Sequence, residues 1–259
     1  MPERSLTPLR VEPAGDGVAE LILDRPDLLN RFDSALHHAF TEALTDLARR
    51  DDVRAIVLSS TGSAFSAGGD FDMMRRAHSD PALQRAIVDE ARRLFGALLD
   101  LPQPIVAAVQ GPAIGLGATV VLACDAVVAA RTATLADPHV GVGLVAGDGG
   151  AIVWSQAVGI LRAKRYLLTG DPLDAVTAHD LGLVTDLVDG ADDAAPAARQ
   201  LAARIAQLPP LAVQSTKRVL QGLARERAGG ALDLGLALEQ ETMTTQDHID
   251  RIDAFQSRR

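Results

Sequence analysis

Two glycine-rich stretches and one histidine–aspartate loop hold the residues of this chain best suited to chemistry. The first stretch, AFSAGGDF, covers residues 64–71; the second, QGPAIGLGATVVLACD, covers residues 110–125. Each leaves an apolar run, at residues 55–58 and 105–109, and passes through glycine into a helix start. Glycine lets backbone amides approach a ligand closely and accepts positive φ. The first turn of a helix has unpaired N–H groups and a dipole that favours negative charge. Two such turns facing one another predict a pair of amides that stabilise an oxyanion formed from a carbonyl.

The loop carries the side chains. His139 and Asp148 stand nine residues apart across HVGVGLVAGD. Histidine titrates near neutrality, and an adjacent carboxylate orients the ring and raises its basicity. The pair can therefore move protons, with Asp148 as orienter or as the base itself. The structural alternatives are a hydrogen-bonded loop histidine and a helix cap at Asp148 before Gly149 and Gly150. Asp70 reads as the cap of the helix after the first turn. His37, His38, His78, His179 and His248 show no metal-ligand spacing, so no metal is expected. The single cysteine, Cys124, excludes an intramolecular disulfide. Within VVLACDAVVAA it reads as a small buried residue, and Trp154 and Tyr166 read as packing residues.

The surrounding elements follow from periodicity. Residues 9–11 and 18–23 flank AGDG, a hairpin signal. Asp33 or Ser34 caps a helix to about Arg50, with Leu36, Phe40, Leu44 and Leu47 as its apolar stripe. A strand at residues 54–59 leads to the first glycine turn. Asp80-Pro81 opens a helix through Leu99, and a strand at residues 105–109 leads to the second turn. The helix after it is apolar all round and expected to be buried. Strands follow at residues 126–130, 133–136 and 184–188, and DGADDAAPAA reads as a polar, alanine-rich connector. Helices then dominate, broken at LPPL and at AGG (residues 228–230). Periodicity alone gives the α/β class.

The two glycine turns, the loop at residues 135–150, the block QAVGILRAKRYLLTGDPLDAVTAHDLGLVTDLV at 156–188 and AVQSTKRVL at 212–220 resemble the crotonase (enoyl-CoA hydratase/isomerase) superfamily. The resemblance runs from about Val18 to the C-terminus. It implies a crotonase-like spiral of ββα units over residues 1–190 and a helical C-terminal trimerisation region over residues 191–259. It places one oxyanion amide at Gly69 and the other at Leu116, and brings His139 and Asp148 into one pocket. It implies an acyl-CoA substrate, with coenzyme A entering as part of that substrate and no separate cofactor. Arg25 and Lys217 are the basic residues expected at the CoA phosphates, with Ala67 and Gly69 of the first turn on the CoA side. The acyl pocket is expected from residues 71–77, the helix at 87–98 and the C-terminal helices.

The chain departs from the hydratase pattern where it matters chemically. The first hydratase glutamate is replaced by Thr119, and the second, after a proline, by His139 following Pro138. A threonine hydroxyl is too weak an acid or base for water addition at neutral pH. The His139–Asp148 pair is expected to take over that work. The aspartate position resembles one used in the dehalogenase and naphthoate-synthase branches. The His/Asp spacing, with Glu239 in LGLALE, resembles the branch that cleaves β-diketones by a retro-Claisen step without CoA. That branch departs from the Ala-Gly-x-Asp turn, which is intact here as Ala67-Gly68-Gly69-Asp70, so an acyl-CoA enolate is the leading expectation. A CoA-binding pseudoenzyme that lost the glutamates is the third reading, separable by the absence of Cα deuterium exchange.

Bulk properties agree. A chain of 259 residues can bury a substantial core. A net charge of −9 argues against nucleic acid or anionic membrane as a partner. MPERSLTPLR has no apolar signal-peptide core, and no run is long enough to span a membrane, so the cytoplasm is the expected compartment. Arg75, Arg76, Arg162, Lys164 and Arg165 read as solvated helix faces. The C-terminal apolar residues Leu211, Val213, Val219, Leu220, Leu232, Leu234, Leu236 and Leu238 exceed what one helix face can bury in its own domain. They predict a homotrimer or homohexamer.

Overall fold

The structure is a computed structural model that describes residues 8–228 and 230–257. The first seven residues and Gly229 of the AGG break lie outside them. Strands β1 (Leu9–Gly15) and β2 (Val18–Leu23) form an antiparallel hairpin. Its turn is tighter than expected, because Gly15, Asp16 and Gly17 all take positive φ. From β2 the sheet continues in parallel through β3 (Ala55–Ser60), β4 (Ile105–Val109), β6 (Ala126–Ala130) and β9 (Asp186–Val188).

Parallel strands of this kind are buried on both faces, which is why β3 and β4 read as unbroken apolar runs. Alternate residues Leu21, Leu23, Ile56, Leu58, Ile105 and Ala107 face one core. Helix α1 (Ser34–Leu47) reaches it with the expected stripe, and Asp33 caps the helix by accepting from the Leu36 N–H at 2.9 Å. After the short α2 (Phe71–Ala77), helix α3 (Pro81–Asp100) adds Leu94 and Leu98 behind its Asp80 cap and first-turn proline.

The opposite face carries Val18, Ala55, Val57, Val106, Ala108 and Val128. The cover here corrects the reading of residues 189–198 as a connector. Within the remainder of the chain, a helix (Ala194–Ala206, numbered α8 below) starts inside that segment and lays Ala194, Ala198, Ala202 and Ala206 on the sheet. The stripe has the period of a helix face, but alanine is too small to register as apolar periodicity. The C-terminal helical region thus begins as part of the core.

A second, small sheet positions the chemistry. Strand β5 (Ala113–Ile114) pairs in parallel with β7 (Thr134–Ala136), and β7 pairs antiparallel with β8 (Leu173–Asp174). The two-residue strands β5 and β8 carry no sequence periodicity. Because Ile114 is in register with Ala136, Gly115 and Asp137 leave the sheet side by side, and the Gly115 N–H donates to the Ala136 carbonyl at 2.8 Å. Helix α4 (Leu116–Leu122) is buried over its first six residues, as expected.

The remaining helices are α5 (Gly150–Val158), α6 (Ile160–Leu167), α7 (Ala175–Leu181), α8, α9 (Pro210–Ala228), α10 (Ala231–Met243) and α11 (Gln246–Gln256). Helix α10 lies on α3 and α5, and α11 on α2 and the 3-10 turn His139–Val142. Trp154 of α5 is fully buried beside Tyr166 of α6. Met73, Ala77, Ile87 and Met243, from the three regions expected to supply an acyl pocket, meet in one apolar cluster, which Leu144 of the loop before α5 completes. Among the described residues no helix is long and apolar enough to cross a membrane.

Candidate active site

The two glycine turns are packed against each other. Ser66 bridges to Ala113, and Gly69 to Phe32. At Gly68, with φ of +86°, a Cβ would sit 2.6 Å from the Ile114 carbonyl oxygen and 3.7 Å from Gly115 Cα. Gly115 also has positive φ, and a Cβ on Gly117 would lie 2.7 Å from the Ser66 Cβ. Only glycine permits this approach. Leu116 is the first residue of α4, so its N–H has no intrahelical acceptor. Among the described residues neither the Gly69 nor the Leu116 amide donates to another protein group. Asp70 caps α2, accepting from the Met73 N–H at 2.7 Å, and pairs with Arg31. The Ala67 amide donates to the Leu29 carbonyl at 2.9 Å.

Beside the second turn the structure brings His139, Asp148 and Glu239 together, all buried, with Thr119 and Asp137. Asp137 accepts a hydrogen bond from His139 Nδ1, and the same oxygen accepts the His139 backbone N–H at 3.4 Å. On the other side of the ring, Nε2 lies 3.6 Å from Asp148 Oδ2, an ion-pair separation rather than a hydrogen bond. The other Asp148 oxygen accepts from the Gly150 N–H at 3.1 Å and from Thr119 Oγ1 at 3.2 Å. Asp148 therefore does hold the start of α5, and it faces His139 as well. The Thr119 hydroxyl, expected from the resemblance to stand where hydratases have a glutamate, holds this carboxylate.

Three glycines make room for the cluster. A Cβ on Gly150 would fall 2.3 Å from Asp137 Oδ2, 3.3 Å from Thr119 Oγ1 and 3.4 Å from Asp148 Oδ1. A Cβ on Gly147 would fall 2.2 Å from the Gly235 carbonyl oxygen. This contact seats α10 on the loop, so Glu239, one helical turn after Gly235, enters the site. Glu239 Oε2 and Asp137 Oδ2 are buried without a hydrogen-bond partner.

The charges interact strongly. Burial opposes a charge on His139, but the Asp137 and Asp148 carboxylates, with Glu239 nearby, hold it well above its ordinary value. Burial raises Asp148, the His139 ring lowers it and Asp137 raises it again, with a net upward shift. Burial, reinforced by Asp148, pushes Glu239 up to about 8. A buried cluster of carboxylates around one cation sheds its excess charge by protonating one of them.

The two cations expected at CoA each have internal partners. Arg25 binds Asp33 at 2.7 and 2.9 Å and the Arg31 carbonyl at 2.7 Å, fixing the loop before α1. Lys217 is buried and donates to the Gln103 carbonyl at 2.8 Å and to Asp125 Oδ2 at 2.7 Å. Neither side chain joins the His139 cluster. Cys124 donates to the Val120 carbonyl and its thiol is pushed up by burial. Asp137 and Gly150 were missed by the sequence reading. An acid two residues before a loop histidine is the one local signal that could have found Asp137.

The family model for enoyl-CoA hydratase/isomerase matches residues 14–259. The crystal structure of an enoyl-CoA hydratase/isomerase from Mycobacterium paratuberculosis is similar at 37% identity and a TM-score of 0.90, covering 96% of this chain and 98% of that one. The 1,2-epoxyphenylacetyl-CoA isomerase of Escherichia coli is 31% identical over 245 residues, 94% of this chain and 93% of the relative. The 2,3-dehydroadipyl-CoA hydratase of Escherichia coli is also 31% identical, over 243 residues and 92% of each. With its two packed glycine turns and its parallel sheet, the chain belongs to the enoyl-CoA hydratase/isomerase family of the crotonase superfamily.

Proposed function

We propose that this family member acts on an acyl-CoA thioester, holding its enolate oxygen with the Gly69 and Leu116 amides and moving protons with His139 and Asp148. The observation that carries the reading is the pair of amides without an internal acceptor, on two turns that touch, next to a buried acid–base cluster. Amides preorganised in a water-poor site stabilise developing negative charge without reorganising. Relatives named for CoA thioester chemistry support the substrate class. Coenzyme A is carried by the substrate, and the first turn, at Ala67 and Gly69, faces it. Glu239, raised to about 8, is a reserve proton carrier of the same site.

The test is deuterium incorporation at Cα of a short and a long acyl-CoA in heavy water, with titration calorimetry for binding. Exchange that falls by about two to four orders of magnitude in His139→Ala and in Asp148→Ala is the expected result. The double variant should lose little more than the worse single, because the two groups act as one device. Binding without exchange would leave a pseudoenzyme. Turnover of a cyclic β-diketone without CoA binding would replace the reading with retro-Claisen hydrolysis.

The same reading includes a homotrimer or a dimer of trimers. Leu161, Leu211, Val219, Leu220 and Leu234 are exposed on the C-terminal half, whereas Leu236 is buried against Val88 and Ala91. Sedimentation at micromolar concentration showing only a single-chain species would refute it.

A further inference from the structure

We propose that Asp137 is a positioning residue of the site: it holds the His139 ring through a protonated Nδ1 and turns Nε2–H toward Asp148, so that His139 is the proton donor and the Asp148 carboxylate the acceptor. The assignment rests on the acid–base reading above and gives its two members opposite roles.

Three observations carry it. First, one Asp137 oxygen accepts both the ring Nδ1–H and the backbone N–H of His139. This two-point grip lets the ring rotate only by breaking the ring bond. Second, Asp137 is itself buried, and its second oxygen occupies the space that a Cβ on Gly150 would fill. The carboxylate is thus wedged between the His139 segment and the start of α5. Third, Asp148 cannot do the same job, since its Oδ1 is committed to the Gly150 amide and the Thr119 hydroxyl while its Oδ2 stands 3.6 Å from Nε2. A histidine whose Nδ1–H is bonded to a carboxylate presents its other nitrogen to the chemistry with the tautomer fixed.

The charges around the ring point the same way. Asp137 faces it from its own segment, Asp148 from the loop before α5, and Glu239 from α10. The second turn and α4 contribute Gly115 and the Thr119 hydroxyl, without charge. Helix α11 contributes His248, whose Nδ1 is bonded to the Val142 carbonyl at the other end of the 3-10 turn. Among the described residues no lysine or arginine pairs with Asp137, Asp148 or Glu239. Among the described residues the His139 ring is the basic group paired with Asp137 and Asp148.

The readout is the nitrogen chemical shifts of His139, assigned with His139→Gln, in the free protein and in Asp137→Asn. The asparagine keeps the shape and an accepting oxygen but removes the charge. In the unsubstituted protein both ring nitrogens are expected to be protonated at about pH 7, with the Nδ1 proton far downfield. In Asp137→Asn the ring should titrate lower by about one pH unit or more. The alkaline limb of the Cα exchange rate should move down by the same amount, because the donor must be protonated. Exchange at neutral pH should fall by about 10–100-fold.

A neutral His139 ring in the unsubstituted protein at about pH 7 would overturn the proposal, whether or not Asp137→Asn folds. So would an Asp137→Asn variant in which His139 titrates unchanged, since a merely structural aspartate predicts that. The spectra require no substrate. Failure of acyl-CoA exchange with the expected spectra would remove the proposed reaction and leave the Asp137 grip standing; the reverse result would remove only Asp137.

Discussion

Replacing Lys217 separates a structural from a ligand-binding role for the lysine that sequence reasoning put at the CoA phosphates. In Lys217→Met the apolar stem keeps most of its volume, while the ammonium and its two hydrogen bonds, to Gln103 and Asp125, are lost. Hydrogen bonds involving a charged group contribute about 1.5–3 kcal/mol each. Removing one partner of a buried ion pair costs about 3–5 kcal/mol. The Asp125 side chain is 29% exposed and retains the Ile105 N–H at 2.8 Å, so it is not left wholly uncompensated. The expected loss is therefore about 2–4 kcal/mol, below the fully buried range. At about 2–4 °C per kcal/mol for a chain of this size, the melting temperature should fall by about 5–15 °C. Circular-dichroism melts measure the loss, and acyl-CoA titration should give a Kd within about twofold of the unsubstituted protein. Adding Asp125→Asn to Lys217→Met should cost less than the sum of the singles, as expected for groups in contact. An unchanged melting temperature with a Kd raised about tenfold would refute this account and return Lys217 to the phosphate.

Gly150→Ala should lower Cα exchange by about a hundredfold, because its Cβ must displace Asp137 by about 1 Å and a shift of that size in a site is this costly. Its melting temperature should move far less than its rate, since alanine's helix propensity offsets part of the crowding; an unaffected rate would mean that Asp137 does not govern the site. Glu239 is raised to about 8 from an unfolded value of 4.5, so the folded state binds more protons over that interval and stability falls as pH rises through it. Denaturant midpoints of Glu239→Gln should decline less than those of the unsubstituted protein between about pH 5 and 8, and parallel curves would contradict the assignment. His37 has the opposite sign: burial beside Phe32 depresses it to about 4, so stability is lost as pH falls from about 6.5 toward 4. His37→Leu should flatten that acid limb in urea titrations, and a limb of unchanged slope would remove His37 as its cause.

The sequence by itself determined the elements whose rules are local. The turns at Gly68 and Gly115 were legible because both need positive φ beside a helix start or cap. Asp33, Asp70 and Asp80 were legible as caps because each precedes a first turn that its carboxylate can satisfy. The burial of α4 followed from apolar residues on every face. Residue type and family spacing single out His139, Asp148 and Glu239, and the fold does bring them together. Tertiary structure alone decided what each one faces. Lys217 meets partners 92 and 114 positions away, and no periodicity reports a partner at that distance. Glu239 enters the site because Gly147 and Gly235 let two backbones touch. The alanines of α8 become a core face only because a flat array of Val and Ala stands opposite them. Asp137 is two residues from His139 in sequence, yet its grip on the ring needs the turn between them and the gap at Gly150 to close together. Periodicity states which face of an element is apolar. What stands across from that face is fixed only when the chain closes on itself, and at this site that is where the charges acquire their partners.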